Sequence, residues 1–77
     1  MPRITPEHWR VLRCIFDEVG VTEWRIEGDH VIGALPGALR PLVIPMYRDV
    51  NVEIIHGLMQ TTNLSREGYF RLRQRRK

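Results

Sequence analysis

The sequence predicts an α+β domain: a three-stranded antiparallel meander with two helices packed on one face, in the order α-β-β-β-α, followed by a short C-terminal helix. Three observations predict it. Two segments repeat apolar residues with the period of a helix. The stretch between them alternates apolar and charged residues around a Gly-Asp dipeptide, as a hairpin does. Proline and glycine then punctuate the chain where a third strand would begin and end. With 77 residues, 43% of them hydrophobic, the chain makes one domain spanning 1–77, with a core near the lower limit of what folds alone.

The elements follow in order. Thr5 has the chemistry of an N-cap, Pro6 suits a first helical position and Glu7 favours the positive end of the dipole. Leu12, Ile15, Phe16 and Val19 form the buried stripe, Trp9 extends it by a turn, and Gly20 ends it. The first helix is therefore expected from about Pro6 to Val19. In Val21-Thr22-Glu23-Trp24-Arg25-Ile26-Glu27, Trp24 and Ile26 alternate with charged residues, the pattern of a half-buried strand. Gly28-Asp29 suits a type II′ turn, and His30 to Leu35 make the return strand, placing His30 opposite Glu27. Pro36-Gly37 opens a looser turn, and Leu42-Val43-Ile44 form a third strand stopped by Pro45. Asp49 or Asn51 caps the next helix, whose stripe is Ile55, Leu58, Met59 and Thr62 and whose end is Asn63. Gly57 costs about 1 kcal/mol inside that helix, which predicts close packing there. Ser65 caps the last helix, with Leu64 and Tyr69 at the spacing of a hydrophobic staple.

Charge is unevenly spread. Residues 66–77 carry six basic side chains and one acid, whereas residues 1–65 carry six bases and eight acids. A basic tail is therefore expected from about residue 71, frayed at 75–77 and attractive to polyanions. The single cysteine, Cys14, forms no internal disulfide and suits a reducing compartment. No apolar run reaches the roughly 18 residues of a membrane span and the N-terminus lacks a signal-peptide core, so a cytoplasmic protein with no membrane partner is expected.

Several chemistries lack their residues. Three scattered histidines and one cysteine do not have zinc spacing. No glycine-rich phosphate loop is present, and Ser65, the lone serine, is better used as a cap than in a triad. No cofactor and no metal are expected.

The α-β-β-β-α order is similar to the double-stranded-RNA-binding architecture, whose members read RNA by shape and backbone. Closer motifs are present. The run Gly20 to His30, with a helix-ending glycine, a strand, an arginine and a Gly-Asp-His turn, resembles the segment of the HicA toxin family that bears the catalytic histidine in a Gly-Ser-His turn. Val43-Ile44-Pro45-Met46-Tyr47 is similar to that family's Val-Pro-x-His strand end. The helix and Leu-Ser exit between Val50 and Ser65 align without a gap, and Tyr69-Phe70 stands where the family places an aromatic residue. The resemblance covers roughly residues 8 to 70. It departs at Asp29 in place of Ser, at Tyr47 in place of His, and at Asn63 in place of Gly.

This resemblance implies an mRNA interferase, the toxin of a type II toxin–antitoxin system, neutralised by a HicB-type antitoxin in a hetero-oligomer. RNA cleavage without a metal needs a proton acceptor for the 2′-OH, a donor for the leaving 5′-oxygen, and cations about the phosphorus. His30 is the expected catalytic residue, since an imidazole exchanges protons near neutrality. Gly28, Asp29, Glu27 and Tyr47 are expected to support it. Arg25, Arg48, Arg40, Arg71 and Arg73 are the expected RNA contacts. Val31, Met46 and Tyr47, outside the core stripes, are expected to meet the antitoxin. The blander readings are that His8 and His56 pack or lie on the surface, and that Trp9, Trp24 and Cys14 serve the core. The alternative functions are a non-catalytic RNA-binding module of the same fold, in which His30 is dispensable, and a protein-binding subunit.

Overall fold

A computed structural model describes residues 3–75. The elements are α1 (Trp9–Val19), β1 (Thr22–Glu27), β2 (His30–Ala34), β3 (Leu42–Pro45), α2 (Val52–Thr62) and α3 (Arg66–Gln74). The three strands form one antiparallel sheet in the order β1-β2-β3. The α-β-β-β-α layout with an added C-terminal helix is thus the architecture of this chain.

The helices bury the stripes that their periodicity marks. Leu12, Ile15 and Phe16 of α1 are fully buried, as is Ile55 of α2, and Leu58, Met59 and Thr62 of α2 are buried beside them. Sheet residues Leu42 and Ile44, with Val21 just before β1, close the same core. The helices meet the sheet chiefly over β3, while α3 packs against α1.

The helix ends follow local chemistry. Asn51 caps α2, its Oδ1 accepting from the Ile54 N–H at 2.9 Å, and Ser65 Oγ accepts from Gly68 N–H at 3.0 Å to cap α3. Both α1 and α2 end in a Schellman pattern. Gly20 N–H and Val21 N–H donate to the carbonyls of Asp17 and Phe16, and Asn63 N–H and Leu64 N–H donate to those of Gln60 and Met59. Asn63 takes φ 58, ψ 33, a backbone that asparagine tolerates nearly as well as glycine.

Four expectations are corrected. The first helix begins at Trp9, not Pro6. Glu7 and Val50 exchange both backbone hydrogen bonds, at 3.2 and 2.8 Å. That bridge holds the backbone extended past Thr5 and Pro6, and the cap becomes His8, whose Nδ1 accepts from Arg10 N–H at 3.1 Å. Strand β1 does not alternate cleanly. Its register shifts between Thr22 and Arg25, with Glu23 at φ 56, the signature of a bulge. Gly57 is not closely packed: a Cβ there would meet nothing within 4 Å. Finally, α3 runs to Gln74, and Arg75 at its C-cap, a residue expected to fray, pairs with Glu18 of α1 at 3.2 Å. Arg76 and Lys77 lie outside the described residues.

The bulge has a visible consequence. A Cβ on Gly33 would come within 2.8 Å of the six-membered ring of Trp24 and closer still to Val21. Trp24 therefore lies over the bare backbone of β2, in step with Arg25 and Ile26, and the extra residue at Glu23 lets Val21, three positions earlier, reach the same side of the sheet. Its indole N–H donates to Asp17 Oδ1 at 3.0 Å, tying β1 to α1.

Candidate functional site

The site is built on the β1–β2 hairpin. Glu27 pairs with His30 across Gly28-Asp29. Gly28 has φ 58 while Asp29 is not among the positive-φ residues, which is the type II′ turn the dipeptide predicts. His30 pairs on its other side with Pro45 of β3. Side chains alternate across a strand, so the register sorts the sheet into two faces. Val31, Gly33, Leu42, Ile44 and Ile26 face the helices. Arg25, Glu27, His30, Ile32, Val43 and Pro45 share the opposite face. Arg25, Glu27, His30 and Val43 are exposed there, whereas Pro45 is buried and Ile32, flanked in register by Arg25 and Val43, is 9% exposed.

His30 is exposed, and its ring makes no hydrogen bond to any described residue. Glu27 does not orient it. The Glu27 carboxylate instead accepts from Arg25 Nε at 2.7 Å, an i, i+2 pair along one face of β1. With both side chains about 60% exposed, that pair contributes little stability; it engages the carboxylate that stands opposite His30 in the register.

The segment after β3 returns to the hairpin. Met46 N–H donates to the Asp29 carbonyl at 2.8 Å, and the Tyr47 carbonyl accepts from Trp9 N–H at 3.1 Å. These bonds hold Tyr47, 53% exposed, and the exposed Arg48 at the same end of the sheet as His30 and Asp29. Six expected site residues thus come together there: His30, Glu27, Gly28, Asp29, Arg25 and Tyr47, with Arg48 next in the chain. The arrangement offers one free imidazole, a phenol and two guanidinium groups on an open surface. Such a set is able to exchange a proton and to meet a polyanion.

Three expected RNA contacts lie elsewhere. Arg40 is in the β2–β3 turn, at the far end of the sheet, about five strand steps of roughly 3.3 Å from His30. Arg71 is exposed on α3, the helix that packs on α1. Arg73 has a structural task, since its Nε pairs with the Glu7 carboxylate and both side chains are partly buried. Among the antitoxin-contact candidates, Val31 is buried at 1% exposure because it faces the helices; Met46 is half-buried and Tyr47 exposed.

Sequence reasoning missed Arg10 and Arg13. They flank the apolar stripe of α1, one turn apart, and lie over the rings of Trp9 and Trp24, each guanidinium 5.3 Å from the ring centroid. The available signal was an arginine following Trp9 directly and another three residues on.

No family model, curated protein or solved structure matches this chain. Among the described residues no group of three His, Cys, Asp or Glu side chains is placed to hold a metal ion. No helix among them is long and apolar enough to cross a membrane.

Proposed function

We propose that this chain is a HicA-type toxin, a cytoplasmic endoribonuclease that cleaves mRNA without a metal, with His30 as general acid or base. The observation that carries the reading is the place of His30: first residue after a type II′ turn, exposed, on the helix-free face of the sheet, with Arg25 on that face and Tyr47 and Arg48 at the same end. The Gly20–His30 and Val43–Tyr47 motifs supply the family. Arg25 and Arg48 would contact phosphate, and a HicB-type antitoxin would cover the histidine. Tyr47 would donate a hydrogen bond or stack on a base.

The test is induced expression of the wild-type chain against His30→Ala, with growth followed and total RNA resolved on gels. Growth arrest and RNA loss with the wild type, both absent in the folded variant, are the expected result. Equal behaviour of the two folded proteins would rule out catalysis by His30.

One observation favours a second reading, a non-catalytic RNA-binding module. The Glu27 carboxylate is turned to Arg25, and no other described residue bonds to the imidazole. Under that reading RNA affinity survives His30→Ala and falls only with the arginines.

A further inference from the structure

Ile26 is out of place for its register. It pairs with the buried Val31 and so belongs to the helix side of the sheet, yet it is 64% exposed. The cause is the position of the helices, which cover β3 and leave the β1 edge with only the flank of α1 beside it. Between that flank and β1 runs a cleft of about 360 Å³, within the roughly 300–1,000 Å³ usual for ligand sites. Its walls are Trp9, Cys14, Trp24, Ile26 and Val31, and its margin carries Arg10 and Arg13 from α1 and Arg25 from β1.

We propose that this cleft docks an acidic amphipathic segment of a partner protein. Apolar side chains of the segment enter against Ile26 and Val31, and its carboxylates meet Arg10 and Arg13. Charge supports that occupant. Among the described residues neither Arg10 nor Arg13 forms an ion pair with a carboxylate. Both guanidinium groups rest on indole rings, which limits their motion and lowers the entropy lost when a carboxylate binds.

A nucleic acid fits the cleft less well. Stacked bases need a free aromatic face. Trp24 has one side of its ring over Gly33 and the Arg13 guanidinium over the ring. Trp9 carries Arg10 at 5.3 Å and the His8 ring at 6.0 Å and 27°. A base would have to displace those groups, whereas a carboxylate meets the arginines where they already lie. The cleft opens beside the β1 edge on the helix side of the sheet, away from His30, so the proposal does not depend on chemistry there.

Trp9 and Trp24 are the chain's two tryptophans, and both line the cleft, so intrinsic fluorescence reports its occupancy. The probes are two helical peptides of about 15 residues, with leucine at i, i+3, i+4 and i+7 and either glutamate or lysine elsewhere, together with a short single-stranded RNA. The glutamate peptide alone is expected to give a saturable blue shift. Its binding should weaken about tenfold in Arg10→Glu/Arg13→Glu and remain unchanged in His30→Ala. Arg10→Gln/Arg13→Gln gives the same direction with a smaller loss, and serves if the glutamate variant does not fold. No saturable response to the glutamate peptide overturns the proposal, as does binding that the arginine variants leave undiminished. Arginine-dependent saturation by the RNA would assign the cleft to nucleic acid instead.

Discussion

Tyr69 predicts how this protein responds to alkali. The side chain is 1% exposed, and its hydroxyl is buried with no hydrogen-bond partner among the described residues. Burial, reinforced by the Glu7 carboxylate and opposed by Arg73, pushes its pKa from 10.0 up to about 12. The folded protein therefore holds the proton more tightly than the unfolded chain. The stability tied to that difference is fully present below about pH 10 and is lost as pH rises from about 10 toward 12. At about 1.4 kcal/mol per pH unit it amounts to about 3 kcal/mol, a large part of the margin of a 77-residue domain. Tyr69→Phe keeps the ring and deletes the unpaired hydroxyl, whose burial costs about 1–3 kcal/mol. The variant should be as stable as the wild type at pH 7, or more stable by about 1 kcal/mol, and should lack the alkaline loss. Urea denaturation of both proteins at neutral pH and in steps between pH 9 and 12 measures this. Every other ionisable group is common to the two proteins, so the difference curve isolates Tyr69. A difference that stays flat up to pH 12 would refute the linkage. Loss of more than about 1 kcal/mol in the variant at pH 7 would show that the hydroxyl has a partner in the folded state.

Two glycines make opposite predictions. Gly33→Ala drives a methyl group into Val21 and the Trp24 ring, so it should destabilise the fold by about 1–3 kcal/mol and change tryptophan emission; unchanged stability and emission would show that Trp24 does not rest on β2. Gly57→Ala meets open space in the middle of α2 and should stabilise by about 1 kcal/mol, read as a higher urea midpoint. A lower midpoint would mean that the α2 surface is tighter than its geometry indicates.

Much of the candidate site was legible because it is local. A two-residue loop sets the register of its hairpin, so Gly28-Asp29 alone places His30 against Glu27. The same holds for Asn51, Asn63 and Ser65, whose short polar side chains or backbone tolerance decide a helix end within a few residues of themselves. The helix stripes Leu12-Ile15-Phe16 and Ile55-Leu58-Met59-Thr62 were also readable, since a period of 3.6 leaves one face to bury.

What escaped the sequence was set by residues far apart in the chain. Thr5 and Pro6 are good local signals for a helix start, but the Glu7–Val50 bridge pulls that backbone into an extended form and hands the cap to His8. Nothing about Glu23 announces φ 56; the bulge there brings Val21 and Trp24, three positions apart, to the same side of the sheet over Gly33. The pairing of Arg73 with Glu7 spans 66 positions and turns an expected RNA contact into a fastening between α3 and the N-terminal segment. Hydrophobic pattern tells which face of a strand turns inward, and it placed Ile26 correctly on the helix side. Whether a helix lies over that face depends on the whole packing, and here α1 and α2 cover β3 and leave Ile26 to solvent.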